Sequence, residues 1–144
     1  MSTCIFCEIA SGKAQAQFVH QTERCAVFLD TAPIREGHVQ IIPRDHYACF
    51  DDMPPDLACE IMRLGQRVAR ALKAQYKVAR VGFVYSGNDV AHAHAHVLPL
   101  FETDDITSAR YYSKRPVQRR VITPPTVQQA ALTAQELQFE LGAV

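Results

Sequence analysis

A chain of 144 residues is long enough for one domain that buries roughly two-thirds of the surface exposed by its unfolded form. Its 15 Lys and Arg residues balance its 15 Asp and Glu residues, which argues against a general polyanion-binding role and against nucleic acid as a partner. No apolar stretch approaches the ~20 residues that span a membrane, and the first residues lack the basic and apolar regions of a signal peptide. The odd number of cysteines, five, suits a reducing compartment, so we predict a cytoplasmic protein.

The elements predicted up to residue 101 form one α+β domain with an antiparallel sheet of about five strands. A helical turn near residues 5–9 ends before Gly12. Beyond Pro54 and Pro55, apolar residues at helical spacing predict one long helix over residues 56–76, packed on the sheet. Their β-branched and aromatic content predicts strands over residues 18–20, 24–30, 38–43 and 81–85, and a histidine-rich strand follows.

The composition changes after Phe101, and we treat residues 102–144 as a C-terminal extension that packs on the domain of residues 1–101 or extends from it. Thr133 and Glu136 have the Thr-x-x-Glu spacing of a capping box, which predicts a short helix over residues 133–141. Five basic residues precede this helix: Arg110, Lys114, Arg115, Arg119 and Arg120. They could receive a substrate phosphate, but a solvated or subunit-contacting loop is the commoner role of such a charge run.

Three of the six histidines, His92, His94 and His96, alternate with alanines. Successive side chains of a strand point to opposite faces, so a strand through this run places the three imidazoles on one face. Imidazole titrates near neutral pH and ligates metals, so such a face points to metal binding or to phosphate chemistry. A solvated, histidine-rich strand is the plainer alternative. His38 opens another predicted strand and shares a face with Gln40. A lone histidine at the start of a strand is usually structural, but together with the histidine run His38 indicates a functional site.

Cys4 and Cys7 form a Cys-x-x-Cys pair, whose thiolates can share one metal ion. A closed zinc site needs four nitrogen or sulfur ligands, and His46 and one histidine of the 92–96 run are the candidates for the other two. The pair could also be uncomplexed, whereas a redox role is disfavoured because the expected βαβ pattern is absent. The remaining cysteines are interpreted as ordinary buried small residues: Cys25, Cys49 and Cys59.

Together these motifs resemble the signature of the histidine triad (HIT) superfamily of nucleotide hydrolases and transferases. Most of the resemblance lies in the histidine run and the Val-Leu-Pro that follows it. Asp30, the Gly37–His38 pair and His46 match further positions in the family's order, and the Cys-x-x-Cys start is similar to bacterial members of the Hint-like branch. The resemblance covers about residues 4–101. It implies the HIT-like fold, a nucleotide partner and, by analogy, a homodimer.

The resemblance also implies a covalent mechanism. In the family the middle histidine attacks the α-phosphorus of a nucleotide and gives a nucleotidyl-histidine that water cleaves, a role that falls on His94. His96 and His38 match histidines that contact the phosphate and stabilise its charge. Asp30 matches the residue that binds the ribose hydroxyls. The residues that match the lining of the base pocket are Phe6, Ile9 and Phe28.

In zinc-containing relatives a structural Zn²⁺ is bound by the Cys-x-x-Cys pair, the histidine after the Ile-Pro strand and the first triad histidine. The matching residues here are Cys4, Cys7, His46 and His92. The resemblance therefore implies a closed site that ties the N-terminal turn to the catalytic strand.

Departures from the family pattern concern the substrate. The loop before the triad is compressed to residues 86–89, where Asn88 and Asp89 replace the common Gln and Ser or Thr. An acidic Asp89 near the phosphate would oppose an anionic leaving group. Gln40 replaces an apolar residue that is frequent on the nucleotide-facing side. We therefore expect the preferred base or leaving group to differ from that of well-known members.

The sequence thus predicts hydrolysis of a nucleoside 5′-phosphate derivative at the α-phosphorus, the substrate being a phosphoramidate or a dinucleoside polyphosphate. Two alternatives stay open. One is a catalytically silent nucleotide- or zinc-binding regulatory module, against which the intact His38, His94 and His96 argue. The other is a metalloenzyme in which all three triad histidines jointly hold a catalytic ion.

Overall fold

The computed structural model describes residues 4–85, 89–102, 105–106 and 123–142. The helices and strands in this part are α1 (Ile5–Ala10), β1 (Phe18–Gln21), β2 (Cys25–Leu29), β3 (Val39–Pro43), α2 (Pro55–Tyr76), β4 (Arg80–Tyr85), β5 (Ala95–Leu100) and α3 (Val127–Gly142), with a 3-10 turn at Phe50–Asp52. The strands form an antiparallel five-stranded sheet in the order β1-β2-β3-β5-β4. The predicted α+β fold is confirmed. None of the described helices is long and apolar enough to cross a membrane.

The two faces of the sheet are covered differently. One face packs against α2 and α3 and forms the larger core, with side chains such as Val27, Ile41 and Val97. The other face packs against the short α1, where Phe6 contacts Phe28. Strand side chains alternate, so the residues in register with Phe28 on β3 and then on β5 lie on this second face; they are Gln40 and His96. The larger core therefore supports the sheet from behind, and the second face presents the candidate site.

The histidine run is not one continuous strand, so the prediction of a histidine-rich strand is right only for its last member, His96. β5 begins at Ala95, opposite Ile41, and in the same register Ala93 would lie opposite Pro43. Proline has no N–H to donate to a ladder, and Ala93 instead donates its N–H to the carbonyl of Tyr47 at 2.7 Å. The first two histidines consequently lie in an irregular segment before β5, and the centroids of both rings lie within 6 Å of that of Phe6.

The C-terminal helix is longer than predicted because its capping box lies at Thr126 rather than Thr133. Thr126 Oγ1 accepts the Gln129 N–H at 3.2 Å, and Gln129 Oε1 accepts the Thr126 N–H at 2.9 Å. Thr133 instead lies within α3, and its hydroxyl faces Glu36 at 3.5 Å. The helix packs against α2 and β1 and buries Leu137 in the larger core.

The interpretation of the isolated cysteines as buried is right for one of the three. Cys25 on β2 is buried, but Cys49 and Cys59 are exposed. Cys59 lies off the apolar stripe of α2, whose buried members include Leu57 and Ile61, so it faces outward.

Candidate functional site

A cluster of four potential metal ligands lies where α1 approaches the end of β3. The ligand atoms of Cys4, Cys7, His46 and His92 all lie within 4.8 Å of one another. Cys7 Sγ is 3.3 Å from His46 Nδ1 and 3.5 Å from His92 Nδ1, and Cys4 Sγ is 3.4 Å from His92 Nδ1. Zn–S bonds of about 2.3 Å and Zn–N bonds of about 2.0 Å at a tetrahedral angle separate sulfur and nitrogen by about 3.5 Å. The donor set and its spacing therefore fit a tetrahedral ion.

His92 is oriented as a ligand by the backbone. Its Nε2–H donates to the Pro43 carbonyl at 3.0 Å, which leaves the lone pair on Nδ1, the atom that faces both thiols. The side chain is 0% exposed, and this burial lowers the pKa of His92. The imidazole is therefore neutral, as a metal ligand must be.

A second cluster joins His38 and His96 beside Asp30. The Ile34 backbone N–H donates to His38 Nδ1 at 3.1 Å, so the proton of the neutral ring is on Nε2. Nε2–H in turn donates to His96 Nδ1 at 2.9 Å, which places the His96 proton on its own Nε2. Burial lowers the pKa of His38 to about 4, although the Asp30 carboxylate lies 3.7 Å away and opposes this shift. The His38 ring is thus neutral, and its Nε2 has no lone pair for a metal ion.

His94 has the opposite tautomer. Its Nδ1–H donates to the His92 carbonyl at 2.7 Å, so the unprotonated nitrogen is Nε2. The ring centroid of His94 is 4.9 Å from that of His96 and 5.0 Å from that of Phe6. A nitrogen able to attack an electrophile therefore lies beside a ring that carries an N–H donor.

The three residues predicted to line a base pocket come together next to His94. Phe6 and Ile9 on α1 pack with Phe28 on β2 in one apolar cluster, and the Phe6 and Phe28 ring centroids are 5.9 Å apart. The structure thus places an apolar surface, a carboxylate and the triad in sequence along one face of the sheet.

Asp30 is held by its neighbours at both carboxylate oxygens. Oδ1 accepts the Ala32 N–H at 2.8 Å, and Oδ2 accepts the Gln40 Nε2–H at 2.6 Å. The sequence marked Gln40 only as a departure from the family pattern; its link to Asp30 became visible because β3 sets it between Phe28 and His96. The role of Ile34, a backbone donor, leaves no signal in a sequence at all.

The structure does not bring every predicted site residue together. Asp89 is exposed, and within the described part of the chain no hydrogen bond or ion pair joins it to the histidines. Asn88 and the basic residues 110–120 lie outside the described residues. The candidate ligand groups also divide the triad: His92 groups with the cysteines, and His96 groups with Asp30 and His38. This geometry gives no support to one catalytic ion held by all three triad histidines.

An antiparallel sheet that presents a histidine run on the face opposite its main helices defines the histidine triad class of proteins. The HIT domain family model matches residues 11–103, and the chain belongs to this family, as predicted.

The chain is 33% identical over 105 residues to an uncharacterised HIT-like protein of Methanocaldococcus jannaschii, covering 70% of this chain and 81% of that protein. It is 32% identical over 99 residues to the adenosine 5′-monophosphoramidase of Saccharomyces cerevisiae, covering 68% and 63%. Among solved structures it is similar to a Zn-bound histidine triad family protein from Mycobacterium smegmatis, with a TM-score of 0.76, 25% identity and coverage of 98% and 94%.

Proposed function

We propose that this protein hydrolyses a nucleoside 5′-phosphate derivative at the α-phosphorus, with a nucleotidyl phosphoramidate as the first substrate to test and a dinucleoside polyphosphate as the second. The observation that carries the proposal is the pair of opposite tautomers: an unprotonated His94 Nε2 beside a His96 ring whose proton is on Nε2. The yeast relative named as a phosphoramidase supports the order of the substrates.

The reaction divides into two displacements at phosphorus. His94 Nε2 forms a bond to the α-phosphorus while the bond to the leaving group breaks and the leaving group takes up a proton. Water then attacks the same phosphorus, the bond to His94 breaks, and the nucleoside monophosphate is released. His96, held by His38, donates to a non-bridging oxygen and stabilises the charge that develops there. Asp30 binds the ribose, and the Phe6–Phe28 cluster binds the base.

The nucleophile is tested by labelling with an α-³²P nucleotide substrate, followed by denaturation. Wild-type protein is expected to retain an acid-labile label, and His94→Ala is expected to lose both the label and turnover. His20→Ala on β1, which changes a histidine outside the site, is the matched control and should behave as wild type. Equal labelling of wild type and His94→Ala would overturn the assignment. Tight nucleotide binding without any turnover would favour the silent regulatory module.

We also propose that Cys4, Cys7, His46 and His92 bind a structural Zn²⁺. The sulfur–nitrogen separations of 3.3 to 3.5 Å and the Zn-bound relative support this assignment. Metal content should fall in His92→Ala and stay unchanged in His94→Ala. Equal loss from both variants would favour an ion held by the triad.

The proposed assembly is a homodimer that pairs along β4. At the β1 edge of the sheet, Gln138 of α3 donates to the Phe18 carbonyl at 2.7 Å, whereas at the β4 edge the exposed Phe50 ring packs on Tyr85, with centroids 5.6 Å apart. Light scattering is expected to give twice the 16.1 kDa mass of one chain; the mass of one chain would contradict the dimer. The cytoplasmic location stays a prediction from the cysteines.

A further inference from the structure

We infer that Arg35 and Asp105 form a clasp that fixes the tautomer and orientation of His38, so that the first turn after β5 is a positioning part of the site. Asp105 lies just beyond the family match, which ends at residue 103. The consequence for catalysis rests on the proposed function, but the effect on His38 does not.

The loop between β2 and β3, residues 30–38, folds back on His38. The Asp30 N–H donates to the His38 carbonyl at 2.9 Å, and the His38 N–H donates to the Arg35 carbonyl at 3.0 Å. The Ile34 N–H, one residue before Arg35, donates to His38 Nδ1 at 3.1 Å. The proton on His38 is therefore placed by the backbone of residues 34 and 35. A contact that fixes the position of residues 34 and 35 therefore also fixes the tautomer of His38.

The Arg35 side chain is held by a buried carboxylate. The Asp105 side chain is 0% exposed; its Oδ1 accepts the Arg35 Nε–H at 2.8 Å, and Arg35 Nη2 lies 2.8 Å from the same oxygen. Oδ2 accepts the N–H groups of Phe101 and Glu102 at 2.7 and 2.9 Å. The guanidinium carbon also lies 5.3 Å from the centroid of the Phe101 ring. The end of β5 is thus bonded to the same residue whose carbonyl receives the His38 N–H.

The Arg35–Asp105 pair is more buried than the Arg24–Asp56 pair at the surface. Without the buried Asp105 carboxylate, Arg35 keeps among the described residues only the exposed carboxylate of Glu102, 3.8 Å from its Nη2, so the guanidinium must move or draw in water. The exposed pair Arg24–Asp56 has the same 2.8 Å separation, but its side chains are 43% and 69% exposed. Loss of that pair is therefore the matched control, since it removes an Arg–Asp contact that does not touch the 30–38 loop.

Losing the clasp allows residues 34 and 35 to turn, and His38 Nδ1 then loses its donor. A neutral His38 is no longer restricted to the Nε2–H form, and the hydrogen bond to His96 Nδ1 weakens with it. His96 in turn loses the partner that keeps its proton on Nε2. Two positioning residues outside the triad thus control which histidine nitrogens carry hydrogen.

The test is the tautomer itself, read from long-range ¹H–¹⁵N correlations of the imidazole rings in the full-length, zinc-loaded protein. Wild type is expected to show His38 in the Nε2–H form. Asp105→Asn and Arg35→Lys should each show a mixture of tautomers, since lysine keeps the charge but lacks the planar fork of arginine. Asp56→Asn should match wild type. If Asp105→Asn does not fold, Arg35→Lys alone decides the outcome.

An unchanged His38 tautomer in a folded Arg35→Lys protein would overturn the clasp. On a turnover assay, kcat should fall about tenfold or more while KM changes little, because the phosphate-facing histidines are misplaced and ribose binding is not. A wild-type protein without turnover, combined with the expected tautomer change, would refute the proposed function and leave the clasp standing. Failure of the clasp and failure of the proposed function therefore give different results.

Discussion

Backbone groups set the proton positions of His38, His92 and His94, and the His38 ring then sets that of His96. A carbonyl accepts from His92, a second carbonyl accepts from His94, and an amide N–H donates to His38. Backbone groups cannot change their hydrogen-bonding character, so each ring starts the reaction in one tautomer. One short histidine run can consequently supply a metal ligand at Nδ1 and a nucleophile at Nε2.

Gln40→Met tests whether the link between β3 and Asp30 matters for substrate. Methionine keeps the length of the side chain but cannot donate to Asp30 Oδ2. Loss of one such bond is worth about 1 kcal/mol, so nucleoside monophosphate binding should weaken about fivefold. Titration calorimetry with a ribonucleotide and its 2′,3′-dideoxy analogue is the measurement. An equal loss for both ligands would contradict a role for this link at the ribose.

Gly37→Ala should destabilise the protein more than Gly12→Ala. Both glycines have left-handed backbone angles, with φ of +84° and +76°, so both substitutions carry a strain of about 1–2 kcal/mol. A Cβ on Gly37 would also overlap the Tyr76 ring, whereas a Cβ on Gly12 meets nothing within 4 Å. Urea unfolding of both variants gives the two losses of unfolding free energy, and their difference measures the cost of the overlap with Tyr76. Equal losses of unfolding free energy would show that Tyr76 moves aside at little cost.

At the scale of elements, α1 is too short to be stable by itself, and contacts at both ends hold it. Helices of one or two turns are marginal in water. The start of α1 carries two members of the Cys/His cluster, and the carbonyl of its last residue, Ala10, accepts from Arg44 Nη1 at 2.6 Å. The apolar cluster of Phe6 and Ile9 is therefore attached to the sheet partly through the Cys/His cluster.

Chelation of the metal should loosen α1 before it affects the sheet. Hydrogen exchange of residues 5–10 is expected to rise at least tenfold after treatment with a chelator, while exchange in β3 and β5 stays slow. Cys7→Ser should show the same pattern without chelator, and Cys59→Ser, which changes an exposed cysteine, should not. If hydrogen exchange in α1 stays slow after chelation, the contacts of Arg44 and Phe6 are sufficient to hold α1 on the sheet.

Elements with a periodic, local signal could be predicted from the sequence. Element ends that depend on a choice between similar caps, or on a residue in another strand, were predicted wrongly. The apolar stripe of α2 repeats over many turns, so its bounds were nearly correct. Thr126 with Gln129 satisfies the spacing of a capping box as well as Thr133 with Glu136 does, so the spacing alone did not locate the start of α3. The start of β5 was missed because it depends on Pro43 in a different strand. Candidate site residues with distinctive side chains could be proposed from the sequence, whereas the backbone donor at Ile34 could not.

At the scale of the whole molecule, α3 shares the core of the sheet and α2. Leu137 is 0% exposed, whereas Leu132 on the same helix is 58% exposed. Leu137→Ala should therefore lower the free energy of unfolding by about 2–5 kcal/mol, and Leu132→Ala should change it by less than about 0.5 kcal/mol. A single unfolding transition that shifts as a whole is expected, because the helix and the sheet share one core. Loss of α3 alone, with the sheet transition unmoved, would instead make residues 123–142 an independent unit.

Acid should destabilise the fold through His38. Its pKa is lowered to about 4 in the folded protein, against about 6.5 in an unfolded chain. Between these values the unfolded chain binds a proton that the folded protein does not, so stability is complete above about pH 6.5 and falls as the pH is lowered toward 4. The loss attributable to this one ring is at most about 3 kcal/mol. His38→Gln removes the titrating group, so the free energy of unfolding of this variant should fall by about 3 kcal/mol less between pH 6.5 and pH 4 than that of wild type.

Denaturant unfolding at several values between pH 7.5 and pH 4 measures the effect as the difference between wild type and His38→Gln. Burial also lowers the pKa of His20 and of His92, and acid weakens any metal cluster, but these contributions are common to both proteins and cancel in the difference. The difference should grow below pH 6.5 and level off near pH 4. Parallel curves would mean that His38 is protonated inside the fold, and the His38 Nε2–H donor to His96 would then be part of a charged ring rather than a neutral one.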